Sequence, residues 1–128
     1  MDQLPADLQA YLDSYRELFG YVPERPATRI AFESEVAPEF VRLLERIRAL
    51  AMHSDVIDAK TTQMMVFGIM LSHGLEPAHH HAVAARRLGA SWEELHKVVE
   101  LAFHIGGMGA AQLGCHILAD MRSQEQAV

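Results

Sequence analysis

The apolar run MMVFGIML, Met64 to Leu71, constrains the fold more than any other feature of the sequence. It lies in a segment that starts after Asp58 and ends at Gly74. Such a run is typical of a buried strand or a buried helix. We expect a helix over about 58–73, because the segment is long, Asp58 is a suitable N-cap and no second strand candidate exists to pair with it. The run is too short to cross a bilayer, which requires about 20 apolar residues.

Capping and breaking residues divide the rest of the chain into further helices. The capping box SWEE, from Ser91 to Glu94, predicts a helix that reaches about Ile105. Pro77 suits the first turn of a helix that ends before Gly89. The remaining helices are expected at residues 5–19, 37–52 and 110–121.

Two segments are expected to lie outside the helices. GYVPERPA is expected to form a turn because Pro23 and Pro26 break helices, and the tail SQEQAV is expected to fray. The sequence therefore predicts an all-α fold of about six helices. It also predicts a single domain over residues 1–128, with a core at about 36–122.

The distribution of apolar residues predicts which helix faces are covered. The helix at 37–52 places four apolar residues on one face: Phe40, Leu44, Ile47 and Ala51. The helix that Ser91 opens is apolar over most of its circumference, and one core cannot cover all of these residues: Leu95, Val98, Val99, Leu101, Ala102, Phe103 and Ile105. We therefore expect a subunit interface, and hence a homo-oligomer.

Composition excludes several classes of protein. The net charge is −6 and no basic stripe is present, so nucleic acid and anionic membranes are poor partners. The single cysteine, Cys115, forms no internal disulfide and is expected to be a free, packed thiol. The N-terminal segment has no apolar signal core, so a cytoplasmic location is the default expectation.

Three adjacent histidines, His79, His80 and His81, suggest a metal site, but helical geometry argues against one. Consecutive helical residues point about 100° apart, so the three rings cannot converge on one ion. His79 is expected to face solvent. His81 falls on the apolar face with Ala84 and Ala85, where it is either a hydrogen-bonded core residue or a pocket residue.

A second histidine pattern has the spacing of a shared helix face. His96, Glu100 and His104 follow one another at intervals of four residues, and each neighbouring pair could share a metal. Such a stripe is more often a hydrated, charge-paired face. His104 lies between Phe103 and Ile105, so we expect it to be buried or to line a pocket.

The sequence resembles a known family over about residues 10–115. The segment DAKTTQMMVFGIMLSHGLEPAHHHAVAARRLGASWEELHKVVELAFHIGGMGAA resembles the core of the carboxymuconolactone decarboxylase family, which includes the alkylhydroperoxidase-D-like proteins. The K-T helix start, the histidine eight residues before a glycine (His81 and Gly89) and the GAS-EEL motif carry the resemblance. YRELFGYVPERPA and APEFVRLLERI resemble the decarboxylase branch. The resemblance implies an alkylhydroperoxidase-D-like helical fold and assembly as a homotrimer or homohexamer.

The departures from the peroxidase branch are informative. That branch has a Cys-x-x-Cys-x-x-x-His motif, whose cysteines would fall here at Gly74 and Pro77. Dithiol chemistry requires an attacking and a resolving sulfur, so peroxidase activity is not expected. The family's usual acid falls near Gln63, which does not titrate.

The decarboxylase branch lacks the cysteine pair but retains the histidine. The resemblance implies a cofactor-free decarboxylase or isomerase, a lyase of aromatic-compound catabolism that acts on a small carboxylated, unsaturated, lactone-like compound. His81 would be the general acid and base. His104 falls where that branch commonly has an aromatic residue and could hydrogen-bond a developing enolate, and Gln63 could supply a neutral hydrogen bond.

Substrate-binding candidates lie near these three residues in the sequence. His80 and Glu76 are candidates for the pocket rim. Arg87 or Arg86 could attract a carboxylate, although both suit a solvated helix face. His79 replaces an arginine that the branch often carries, so the usual dicarboxylic lactone is in doubt as the substrate.

Two other functions fit the residues. One is a metal-dependent enzyme that uses His81, His104 and a further ligand. The other is a non-catalytic ligand-binding or structural member of the family.

Overall fold

A computed structural model describes residues 3–128, and the regular secondary structure in that range is entirely α-helical. The all-α prediction is confirmed, but the described range holds seven helices where about six were expected. The helices are α1 (Ala6–Phe19), α2 (Glu24–Val36), α3 (Pro38–Met52), α4 (Ala59–Ser72), α5 (Ala78–Arg87), α6 (Trp92–Gly106) and α7 (Met108–Gln126). The chain forms two compact units, Met1–Asp55 with α1–α3 and Val56–Val128 with α4–α7. No helix in residues 3–128 is long and apolar enough to span a membrane.

The additional helix is α2, which lies partly where a turn was predicted. Pro23 occupies its N-cap and Pro26 lies in its first turn. The N–H groups of a first turn have no intrahelical acceptor, so proline is tolerated there. The predicted turn is present at residues 20–23, but the prediction was wrong for residues 24–27, where Pro23 and Pro26 lie at the start of a helix.

The shared apolar face of α3 is not the face that is buried. Phe40 and Ile47 are 56% and 64% exposed, whereas Val41 and Glu45 are fully buried. The buried face of α3 therefore includes a charged residue, Glu45. Glu45 accepts a hydrogen bond from Arg29 Nη2 at 2.6 Å, which compensates for the removal of its carboxylate from water.

The helix starts of the second unit follow their sequence signals. The Asp58 side chain accepts a hydrogen bond from the Thr61 amide at 3.2 Å, as an N-cap does. At α6 the capping box is complete. Ser91 Oγ accepts from the Glu94 amide at 3.0 Å, and the Ser91 amide donates to the Glu94 carboxylate at 2.9 Å. The predicted helices at 58–73 and 91–105 are confirmed to within two residues.

The last helix is longer than predicted, because α7 continues to Gln126, within the tail that was expected to fray. The tail is connected to α5 by an ion pair. Arg86 donates from Nε and Nη2 to the two carboxylate oxygens of Glu125, at 3.0 and 3.1 Å. Such bidentate pairs are geometrically specific. They provide a local reason for the helical order of the last turns.

The core of the second unit contains side chains from all four of its helices, including Phe67, Leu71, Ala82, Leu95 and Leu118. Two glycines allow these helices to approach closely. A Cβ atom on Gly68 would lie 2.9 Å from Val98 Cγ1, and one on Gly114 would lie 2.7 Å from Val99 Cγ2. Both distances are far below van der Waals contact, so α6 packs against α4 and α7 at positions where no other side chain fits.

As expected, some of the apolar residues around α6 are buried and others are exposed. Leu95, Val98, Val99 and Ala102 are buried. In contrast, Leu101 is 64% exposed and Ile105 is 79% exposed. A single chain therefore leaves part of this helix without apolar partners.

The close contact at Gly114 gives a stability prediction. Gly114→Ala should lower the free energy of unfolding by about 1–2 kcal/mol, because overpacking against Val99 outweighs the better helix propensity of alanine. Gly109→Ala is the matched control in the same helix. Outside the local helix backbone, no atom lies within 4 Å of the position that a Cβ would take there, so this change should raise stability by up to about 1 kcal/mol. Urea denaturation followed by circular dichroism measures both changes, and a neutral or stabilising Gly114→Ala would contradict the packing.

Candidate functional site

The centre of the candidate site is a hydrogen bond between Gln63 on α4 and His81 on α5. The two atoms, Gln63 Oε1 and His81 Nδ1, lie 2.8 Å apart. Gln63 is only 2% exposed and precedes Phe67 and Leu71 on the buried face of α4. His81 is half-buried on α5, where Ala84 and Ala85 on its side of the helix are buried. The structure thus brings together two of the three predicted catalytic residues.

The chemistry of the amide determines which nitrogen of His81 carries a proton. An amide oxygen only accepts hydrogen bonds, so His81 Nδ1 must donate to Gln63 Oε1. In the neutral ring, Nε2 is then the basic nitrogen, and in the protonated ring it becomes a second donor. Gln63 therefore sets the tautomer and orientation of the imidazole without adding a charge to the site.

His80 has a different environment from its neighbours. Its ring centroid lies 3.9 Å from that of His79, with the planes inclined by 41°. Burial, and secondarily the charge of His79, lowers the pKa of His80 to about 4. His79 itself is exposed, as predicted, and donates from Nδ1 to the Glu76 carbonyl at 3.1 Å. His80 is therefore a neutral, partly buried imidazole near neutral pH.

The other predicted substrate-binding residues lie at the surface. Glu76 and Arg87 are exposed, in the turn before α5 and at its last residue. Arg86 makes contacts that stabilise the fold. Besides its ion pair, it donates to the Ala90 carbonyl at 2.8 Å, and its guanidinium lies 4.1 Å from the centre of the Trp92 ring. Arg87 is the more exposed of the two arginines.

His104 does not lie where the sequence suggested. We expected it to be buried or to line a pocket, but it is exposed. The buried face of α6 passes through Val98, Val99 and Ala102, and His104 is two residues, or about 200°, beyond Ala102. Within residues 3–128 its side chain makes no hydrogen bond to Gln63 or His81. The apolar neighbours Phe103 and Ile105 did not indicate that His104 is buried, because both are themselves exposed.

The stripe that His104 ends is charge-paired at its other two positions. His96 Nδ1 lies 3.1 Å from Glu100 Oε2, and Lys97 Nζ lies 2.9 Å from Glu100 Oε1. Within residues 3–128 no three histidine, cysteine, aspartate or glutamate side chains are grouped so as to hold a metal ion. Cys115 is free, as expected, but it is exposed and not packed.

A polar cluster in the first unit was missed by the sequence analysis. Glu45 accepts hydrogen bonds from the Tyr15 hydroxyl at 3.0 Å and from Arg29 at 2.6 Å. The Arg48 guanidinium lies 3.6 Å above the Tyr15 ring centre, and burial raises the pKa of Tyr15. The spacing of Glu45 and Arg48, three residues apart on one helix, was the available signal. Their fixed positions indicate a structural role for this cluster.

The environment of His80 gives a prediction about its titration. An NMR titration of the histidine rings should give His80 a pKa near 4, well below the ordinary value of 6.5. His79→Gln should raise the pKa of His80 part of the way towards its ordinary value, because it removes the charge of His79 but leaves His80 buried. Between pH 6.5 and 4 the unfolded chain binds the proton more readily, so stability should fall as pH decreases through that window. An apparent pKa above 6 would contradict the described burial.

Comparisons with known proteins agree on the family. The model of the carboxymuconolactone decarboxylase family matches residues 38–120. A protein from Burkholderia xenovorans LB400, named for carboxymuconolactone decarboxylase, has a similar structure, with a TM-score of 0.73, 19% identity and 94% of each chain covered. A carboxymuconolactone decarboxylase family protein from Legionella pneumophila has a TM-score of 0.67 and 17% identity, with 87% of this chain and 96% of that chain covered.

No curated protein matches the sequence. At these identities the two structures establish the fold, while the family model covers most of the chain, including both Gln63 and His81. The chain belongs to the carboxymuconolactone decarboxylase family.

Proposed function

We propose that this protein is a cofactor-free lyase that decarboxylates or isomerises a small, carboxylated, unsaturated compound, with His81 as the proton-transfer group. The observation that carries the proposal is the 2.8 Å hydrogen bond between buried Gln63 and half-buried His81. It holds an imidazole in one orientation beside the surface of the second unit. Family membership supplies the reaction class.

The reaction needs one positioned acid. As the bond to the carboxylate breaks, carbon dioxide leaves and the electron pair moves into the conjugated carbonyl, giving an enolate. A proton must then be delivered to carbon. Protonated His81 delivers it from Nε2, because Nδ1 is directed at Gln63, and the ring recovers its proton from water. Histidine suits this cycle because its ordinary pKa lies near neutral pH.

Because Gln63 is uncharged, it orients the His81 ring without favouring its protonated form. A carboxylate in its place would stabilise the imidazolium and weaken His81 as an acid. The amide supports the ring by hydrogen bonding alone, so both protonation states remain accessible. Gln63 is therefore a positioning residue in this proposal, and His81 is the catalytic residue.

The substrate-binding roles follow from position. His80 is partly buried beside His81 in the sequence of α5, and its low pKa keeps it neutral. Glu76 and Arg87 are exposed at opposite ends of α5, and Arg87 suits a substrate carboxylate. His104 is exposed in the single chain, so it would reach a substrate only where a second copy adds to the site.

The uncovered end of α6 supports self-association. Leu101, Phe103 and Ile105 of α6 are between 44% and 79% exposed, and Met108, the first residue of α7, is 60% exposed, so four large apolar side chains within eight residues are uncovered in the single chain. We propose that they lie between copies of the chain in a homotrimer or homohexamer. Burial of these side chains would favour association by roughly 25 cal/mol for each Å² removed from water.

The catalytic proposal is tested by release of carbon dioxide from carboxymuconolactone and from a monocarboxylated unsaturated lactone. His81→Ala should lower kcat by at least about 100-fold while the circular dichroism spectrum is retained. Gln63→Glu should move the alkaline limb of the pH–rate profile to higher pH, because a carboxylate favours the protonated ring. Gln63→Leu should lower kcat without that displacement.

Three results would count against the lyase. The first is the absence of turnover with both substrates. The second is an unchanged kcat in His81→Ala, which would leave a binding or structural role. The third is loss of activity after chelation with recovery on addition of a metal ion, which would favour a metal-dependent enzyme.

The assembly proposal has a separate test by light scattering. Leu101→Gln combined with Ile105→Gln should lower the mass of the particle at micromolar concentration towards that of one chain. Leu75→Gln is the matched control, because Leu75 is also an exposed apolar residue, 46% accessible, but lies in the turn before α5. A wild-type protein that is monomeric at that concentration would contradict the proposal.

A further inference from the structure

A groove between α6 and α7 lies apart from the Gln63–His81 pair. Its volume is about 520 Å³, and neither Gln63 nor His81 is among the residues that line it. This size falls within the range of small-molecule sites, about 300–1,000 Å³. The groove therefore has room for a ligand of its own.

The walls of the groove are largely apolar. Trp92 contributes from the first turn of α6, and Leu118 and Ala119 contribute from α7. Cys115 and Arg122 share the same face of α7, because they lie three or four residues from Leu118 or Ala119. The two ends of this face, Cys115 and Arg122, are about 10 Å apart along the helix axis at a rise of about 1.5 Å per residue.

The charged side chains along the groove differ in whether another protein group already pairs with them. Glu100 already accepts from Lys97 at 2.9 Å and from His96 at 3.1 Å. Arg122 is exposed and makes no hydrogen bond or ion pair within residues 3–128. Glu93 also lines the groove, and its carboxylate is opposite in charge to the Arg122 guanidinium. Arg122 is thus a cation beside an apolar wall with its five donors available to a ligand.

We propose that this groove binds a small amphipathic carboxylate, with its apolar body against Trp92 and Leu118 and its carboxylate on Arg122. A guanidinium binds a carboxylate through two parallel hydrogen bonds, which gives the head group a fixed end of the groove. The apolar body then extends along α7 towards Cys115. This site is independent of the proposed lyase centre.

The sequence provides two reporters inside the groove, because Trp92 is the only tryptophan and Cys115 the only cysteine. Octanoate is a suitable probe, with octanol as the uncharged match. Octanoate should change the Trp92 emission and slow alkylation of Cys115 by iodoacetamide, both with the same concentration dependence. Octanol should do neither at equal concentration.

Variants identify the contacts. Arg122→Gln should weaken octanoate binding by about tenfold or more, as expected for loss of a charge-assisted contact. Glu93→Gln should strengthen binding, because it removes the like charge. Arg46→Gln, at an exposed arginine of α3, is the matched control and should change nothing. His81→Ala should also bind normally, which separates this site from the lyase centre.

Each alternative outcome overturns the proposal. Equal responses to octanol and octanoate would indicate a non-specific apolar surface. Octanoate binding that is the same in Arg122→Gln would remove the role of the guanidinium. Alkylation of Cys115 that slows as protein concentration and particle mass rise, with no effect of octanoate, would place a second copy of the chain in the groove.

Discussion

The close approach of α4 and α7 to α6 is the constraint on which the second unit depends. Gly68 and Gly114 carry no side chain at the positions where Val98 and Val99 pass, and a Cβ at either site would lie under 3 Å from a valine methyl. This packing fixes the height and rotation of α4 against the core. The orientation of the buried face of α4 in turn places Gln63 inside the protein. The candidate site therefore depends on packing contacts of glycines and valines that take no part in the proposed reaction.

A buried amide needs a partner, and this requirement links packing to chemistry. Leaving Gln63 Oε1 without a donor would cost about 1–3 kcal/mol. His81 Nδ1 supplies that donor, so the ring orientation that satisfies the core also makes Nε2 the nitrogen that serves the proposed proton transfer. Stability and the proposed reaction thus favour one rotamer and one tautomer. A site built in this way needs no charged residue to hold the imidazole.

The sequence predicted best where local chemistry decides the structure. Asp58 and Ser91 mark helix starts because their side chains accept amides of the following turn, and this depends on nothing distant in the chain. Prediction failed where long-range contacts decide. The buried Glu45 accepts hydrogen bonds from Tyr15 and Arg29, thirty and sixteen residues away, and α7 continues to Gln126 beside a Glu125 that Arg86 holds. The pairing of Gln63 with His81 required the fold itself, whereas the inward direction of His81 followed from helical spacing.

The turn between α4 and α5 holds Gly74 and Pro77 at the two positions that correspond to cysteines in the peroxidase branch of the family that the sequence resembles, and its backbone geometry suits these two residues. Gly74 has φ +68°, and the amide of Leu75 donates to the Met70 carbonyl at 3.0 Å, which is the hydrogen bond of a Schellman helix end. A cysteine at Gly74 would have to adopt this left-handed conformation at a cost of roughly 1–2 kcal/mol. Pro77 fixes the backbone just before α5, where the resemblance would place the second cysteine. The backbone here therefore ends one helix and begins the next, and neither Gly74 nor Pro77 carries a thiol. The proposed proton transfer is accordingly assigned to His81, which Gln63 positions.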